Sequence, residues 1–152
     1  RREHLEAMAR TLSWIAQVDA FQHWIYLNPR HTRDDRRARW IELENRFGGT
    51  ASWDGFQDAH EHTWHRQLHI FGIPFYYIEY GIAQLGALQV WLNSKREGEA
   101  AAIDAYKTAL SLGGSKPLPE LFAAAGCRFD FGPGIVGELM QAVNEELETL
   151  PA

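Results

Sequence analysis

Four hydrogen-bonding side chains crowd into one stretch of the sequence: His69, Tyr76, Tyr77 and Tyr80, all within HIFGIPFYYIEYGIAQLGALQVW, which runs from His69 to Trp91. A phenol titrates near pKa 10, so at neutral pH it keeps its proton and can donate to negative charge without ionising. An imidazole at the start of such a stretch adds a second kind of donor. Glu79 is the one acid of the run. The spacing predicts a helix from about Pro74 to Asn93 that is apolar nearly all round and therefore buried. Buried hydroxyls and carboxylates without partners cost about 1–3 kcal/mol each, so the segment reads as the wall of a polar cleft. Tyr77 and Tyr80 are three apart and converge from neighbouring helix faces, whereas Tyr76 reads as a core tyrosine and Glu79 as a partnered structural acid.

Two further sets have spacing that could do chemistry. Asp19, Gln22, His23 and Tyr26 make a polar stripe that continues the apolar line of Leu12 and Ile15. Asp19 and His23 are four apart and can pair, the carboxylate fixing the imidazole tautomer, in a structural network or in contact with a substrate. Glu61, His65 and His69 are spaced four and four and would line up on one helix as a zinc or nickel site. Seven histidines in a helical chain often yield such a triplet, and two full turns strain three ligands toward one ion.

The elements that must position these groups are helical throughout. REHLEAMARTLSWIAQVDAFQHW opens the chain as a helix with two apolar faces, one of Leu5, Met8, Leu12 and Ile15 and one of Trp14, Val18, Phe21 and Ile25, and Asn28-Pro29 stops it. Thr32, followed by Asp35, caps a helix to about Phe47, closed by Gly48-Gly49. Ser52 is expected to cap a third helix from Trp53 to about His69. After the tyrosine-rich helix come helices from Glu97 to Leu112, from Pro119 to Gly126, and from about Gly134 to Leu150. No strand alternation, repeat or long linker interrupts them, so the expectation is one all-α domain over residues 1–152.

Composition narrows the function. A net charge of −5 and a pI near 5.8 argue against a nucleic-acid grip, and the arginines from Arg30 to Arg39 are interleaved with Asp34, Asp35 and Glu42 as on a solvated face. A single cysteine, Cys127, excludes an intrachain disulfide and a multi-cysteine metal knuckle. The low-charge run from Ile70 to Asn93 is broken by Gly72, Pro74 and Glu79, against a membrane span.

Taken together, LSWIAQVDAFQHWIY (Leu12–Tyr26), the His69–Trp91 segment and ALSLGGSKPLPELFAAAGCRFDF (Ala109–Phe131) resemble the C-terminal part of the oligoendopeptidase F group of thimet-oligopeptidase-like zinc metallopeptidases. Phe71-Gly72-Ile73-Pro74 matches the oligoendopeptidase F branch, where the thimet branch has a Gly-Gly-Tyr turn, so contacts of that turn do not carry over. The resemblance implies a multi-helix portion of a larger, cytoplasmic peptidase with a deep substrate channel. It also implies hydrolysis of short peptides, with His69, Tyr77 and Tyr80 as catalytic contacts and Tyr76, His23 and Tyr26 as further substrate contacts. It implies zinc in the full-length enzyme. Such peptidases hold zinc with H-E-x-x-H on a helix, because residues four apart lie about 40° apart around the axis. The nearest look-alike here, His60-Glu61-His62-Thr63-Trp64-His65, spaces its outer histidines five apart, about 140° on a helix.

The zinc ligands are therefore expected outside this chain, upstream of Arg1, and residues 1–152 alone are expected to be inactive. The partner implied besides peptide is the remaining N-terminal part of the same protein. Apolar faces without it could also join two copies as a homodimer, which a monomeric sedimentation profile at high concentration would exclude. The competing reading is a noncatalytic helical module that binds peptides without turnover.

Overall fold

The computed structural model describes residues 1–49 and 51–151, and among them every regular element is helical. The α-helices are α1 (Arg2–Leu27), α2 (Arg33–Phe47), α3 (Gln57–Glu61), α4 (His69–Gly72), α5 (Ile78–Glu97), α6 (Glu99–Ser111), α7 (Leu118–Ala124) and α8 (Pro133–Thr149), and a 3-10 turn covers Thr63–Arg66. None of the described helices is long and apolar enough to cross a membrane.

Local chemistry sets most of these boundaries. Thr32 is extended, its hydroxyl accepts from the Asp35 N–H at 3.1 Å, and the Asp35 carboxylate accepts from the Thr32 N–H at 2.8 Å. This capping box satisfies donors that the first turn of α2 leaves open. Its hydrogen bonds also hold the Asp35 carboxyl below its ordinary pKa. The helix expected from Glu97 begins instead at Glu99, because α5 runs on through Glu97 and Gly98 breaks it at φ 97°, a conformation that costs a residue with a Cβ.

The chain divides into two compact units, one of Met8–Gly81 and one of Arg1–Ala7 with Ile82–Ala152. In the first, Val18 and Phe21 of α1, Trp40 and Leu43 of α2, Trp64 of the 3-10 turn and Ile70 of α4 form a buried cluster. The Trp40 ring meets Phe21 edge-on at 5.1 Å and Trp14 at 5.5 Å, and its indole N–H donates to the Thr63 hydroxyl at 2.7 Å. Such ring pairs add about 0.5–1.5 kcal/mol each beyond burial, and the indole finds the partner that a buried N–H requires. The Trp14, Val18, Phe21 face of α1 thus has the partner its pattern demands.

In the second unit, the large aliphatics buried from solvent are Leu5, Leu85, Leu88, Leu92, Ile135, Leu139 and Val143. Arg2 donates to the carbonyls of Leu147, Leu150 (2.6 Å) and Pro151 (2.7 Å), closing the C-terminal end of α8 with a cation where carbonyls are left open and the helix dipole is negative. The buried Gln89 amide grips the Arg128 backbone from both sides, at 3.0 and 2.8 Å. Glu138 pairs with Arg96 and Arg128, and Glu146 with Lys95 and Arg1. A hollow of about 550 Å³ in this unit is floored by small residues such as Ala83, Gly86 and Ala87 and walled by Phe122 and Cys127. Its lining carries no charged side chain.

Candidate functional site

The expected single helix from Trp53 to His69 is three short pieces. Ser52 does not cap it: the hydroxyl bonds to Asp54 instead, and α3 starts at Gln57 after Phe56, which makes no side-chain cap. The 3-10 turn ends at Arg66, capped by the Gln67 N–H on the Trp64 carbonyl at 3.0 Å, and α4 opens with His69. Glu61, His65 and His69 therefore lie on three separate elements. Glu61 faces Arg37 at 3.7 Å, and His65 sits edge-on to Trp64, where partial burial pushes its imidazole pKa down. No group of three or more His, Cys, Asp or Glu among the described residues could hold a metal ion.

The tyrosine-rich helix also differs from expectation. It begins at Ile78, and the residues before it form a sharp turn. Pro74 disfavours helical geometry at Ile73, which sits at φ −143° and ψ 71°. Phe75 then adopts φ 63°, a left-handed conformation that is strained for a side chain with a Cβ. Hydrogen bonds from the N–H of Tyr76 to Ile73 (3.2 Å) and of Glu79 to Tyr76 (3.0 Å) carry the chain from this turn into α5. This leading part is not buried, since Phe71, Ile73, Phe75, Tyr76, Ile78 and Tyr80 are each more than a third exposed, whereas Leu85, Leu88 and Leu92 further along α5 are buried as expected. Glu79 is likewise exposed, in the first turn of α5, where a carboxylate suits the positive end of the helix.

The turn gathers the predicted residues. His69 Nε2 lies 3.1 Å from the Tyr80 hydroxyl. The His69 ring is parallel to that of Tyr76 at 6.2 Å and edge-on to those of Tyr77 at 5.0 Å and Tyr80 at 5.6 Å. The Tyr77 and Tyr80 rings are 5.1 Å apart. His23 and Tyr26 form a second group: the Phe75 ring lies 5.0 Å from His23 and 4.9 Å from Tyr26. The Asp19 carboxylate approaches His23 at 3.5 Å, as the four-residue spacing predicts. Partial burial raises the Asp19 pKa, and the nearby His23 pulls it back down. Gln22 is fully buried, and its amide meets no protein partner, so the polar stripe reduces to the Asp19–His23 pair.

Three residues of the neighbourhood have no signal in the sequence that singles them out. Phe75 bridges the two groups along the chain. The Gln67 amide nitrogen lies 2.6 Å from His69 Nδ1. The Trp14 indole N–H is shared between the Gln67 amide oxygen at 3.3 Å and the Tyr77 hydroxyl at 3.1 Å, with the Arg66 guanidinium 4.4 Å above the Trp14 ring. All of these residues belong to the Met8–Gly81 unit. The arrangement sets an exposed phenol, Tyr80, beside the half-buried His69 and Tyr77, each engaged by a hydrogen bond from a neighbouring side chain. It is suited to donating hydrogen bonds to an oxygen that gains negative charge.

Residues 1–138 match the sequence profile of Peptidase family M3. Among solved structures, PZ peptidase A in complex with an inhibitor is similar at 34% identity and a TM-score of 0.88, over 98% of this chain and 26% of its own. A structure assigned as an oligoendopeptidase F is similar at 33% identity and a TM-score of 0.85, over 99% of this chain and 26% of its own. The chain thus spans about a quarter of the solved structures it matches. No curated protein gave a match.

Proposed function

Because the chain belongs to peptidase family M3, we propose that it forms the substrate-facing wall of a metallopeptidase that hydrolyses short peptides, of the oligoendopeptidase F kind. The observation that carries the reading is the partly exposed cluster in which His69 Nε2 stands 3.1 Å from the Tyr80 hydroxyl with the Tyr76 and Tyr77 rings beside it. In this reading Tyr77 and Tyr80 donate to the scissile carbonyl oxygen as water adds to its carbon, a contact that strengthens as charge develops and so accelerates the step. His69 positions the Tyr80 hydroxyl, and Tyr76, His23 and Tyr26 line the path of the peptide.

The zinc such a peptidase uses does not fit the residues present, since no metal-holding group exists among those described. In this reading its ligands come from a part of the protein beyond these residues. The test is Tyr80→Phe in the full-length peptidase. The turnover number should fall about 10- to 1000-fold, the scale of losing one preformed oxyanion donor, with a smaller change in KM. An unchanged turnover number removes Tyr80 from the mechanism, and zinc-dependent turnover by the 152-residue chain alone would refute the assignment of the metal site elsewhere.

A further inference from the structure

An indole N–H can only donate, a carboxamide has one donating and one accepting end, and a neutral imidazole has one nitrogen of each kind. These three facts orient the whole chain of contacts behind the site. Trp14 Nε1 donates to the Gln67 amide oxygen, so that oxygen faces Trp14 and the amide nitrogen faces His69. The nitrogen donates to His69 Nδ1, which must then be the unprotonated ring nitrogen. His69 Nε2 consequently carries the proton and donates to the Tyr80 oxygen 3.1 Å away. The same indole donates to the Tyr77 oxygen at 3.1 Å. Both phenol oxygens thus accept a hydrogen bond from the protein, which leaves each O–H proton uncommitted, and of the two it is Tyr80 that is exposed.

We propose that Gln67, oriented by Trp14, is a positioning residue that fixes His69 in the Nε2–H tautomer and thereby turns the Tyr80 O–H toward the substrate. The tautomer assignment stands on the hydrogen bonds alone. Its effect on turnover rests on the reading of Tyr80 as a substrate donor given above.

Gln67→Glu separates the two. A carboxylate accepts but does not donate, so this near-isosteric change should draw the proton to His69 Nδ1. Nε2 would then accept from Tyr80, whose O–H would turn inward. Long-range proton–nitrogen NMR of the 15N-labelled chain, followed through a pH series to the neutral ring, reads the tautomer directly. Nε2–H in the native chain and Nδ1–H in Gln67→Glu are expected. Nδ1–H in the native chain, or an unchanged tautomer in the variant, overturns the proposal. Gln67→Met removes the amide without adding charge and should yield a mixture of tautomers; a pure Nε2–H form there would also overturn it.

In the full-length peptidase, Gln67→Glu should lower the turnover number to within about threefold of Tyr80→Phe and have little further effect in the Tyr80→Phe background, the non-additivity of groups acting as one unit. If Tyr80→Phe alone is without effect while the tautomer still switches, the functional reading fails and the tautomer assignment stands. If Tyr80→Phe is damaging and Gln67→Glu changes neither tautomer nor turnover, the positioning role fails.

Discussion

The left-handed turn at Phe75 permits a test by the sign of an effect. At an ordinary position, alanine stabilises a protein relative to glycine by about 0.5–1 kcal/mol, because glycine has more freedom to lose on folding. At φ 63° the balance changes, since the Cβ of alanine meets the carbonyl clash that costs an L residue about 1–2 kcal/mol in this region. Subtracting glycine's greater entropy leaves Phe75→Gly more stable than Phe75→Ala by about 0.5–1 kcal/mol. The ring contacts with His23 and Tyr26 are lost in both variants, so they cancel from the comparison. Against the native chain, Phe75→Ala should lose about 1–2 kcal/mol, because the ring is only partly removed from water, at 38% exposure. Phe75→Gly should lose about 1 kcal/mol or less, its relief of strain offsetting part of the loss. Urea unfolding followed by circular dichroism resolves the difference: at a slope near 2 kcal/mol/M, the glycine midpoint should lie about 0.3–0.5 M above that of alanine. An alanine variant equal to or more stable than the glycine variant would refute the claim that Phe75 stores strain.

The other expectations concern stability and accessibility. Thr32→Ala removes the capping box of α2 and should cost about 1 kcal/mol, lowering the melting temperature by about 2–4 °C; no shift would show that α2 does not depend on its cap. Hydrogen bonds from Arg96 and Arg128 to Glu138, and from Lys95 to Glu146, hold both carboxyls below the ordinary glutamate range. A depressed carboxyl pKa stabilises the fold above the unfolded-state value, and that contribution is lost as pH falls through the folded-state value, so stability should decline below about pH 4.5 and less steeply in Glu138→Gln/Glu146→Gln. Identical acid limbs would show that these exposed pairs contribute nothing, and added salt should weaken them. Burial pushes the Cys127 thiol pKa up, so alkylation of the native chain at about pH 8 should be slower than in urea by about tenfold or more, and equal rates would contradict its burial.

What the sequence made legible follows from the range of the interactions involved. The cap of α2 depends on Thr32 and Asp35, three residues apart, and is read without tertiary information. The buried face of α1 follows from the spacing of Trp14, Val18 and Phe21. The cluster of His69 with the tyrosines was recognisable by residue type, yet a turn at Phe75 assembles it, not one face of a helix from Pro74. That turn depends on backbone geometry that side-chain periodicity does not encode. The place of Gln67 and Trp14 behind the site is not legible in the sequence, because their contacts span 53 residues between them and 63 from Trp14 to Tyr77. The burial expected for the tyrosine-rich helix holds at Leu85, Leu88 and Leu92 but not at its start, because apolar content does not say what covers a helix, and Tyr76, Ile78 and Tyr80 stand open.

The Arg2 clasp on the last turn of α8 has a consequence for how the chain can be rewired. The Arg2 side chain reaches the carbonyl of Pro151 at 2.7 Å, so residues 2 and 151 are separated by no more than the span of an arginine. A flexible linker of about six glycine and serine residues bridges such a gap, and surface turns tolerate new ends. A circular permutant joined there and reopened at Gly113-Gly114, after α6, would keep every helix whole while reversing which half is synthesised first. If it folds, the order in which the ribosome delivers the helices is immaterial to the architecture they reach.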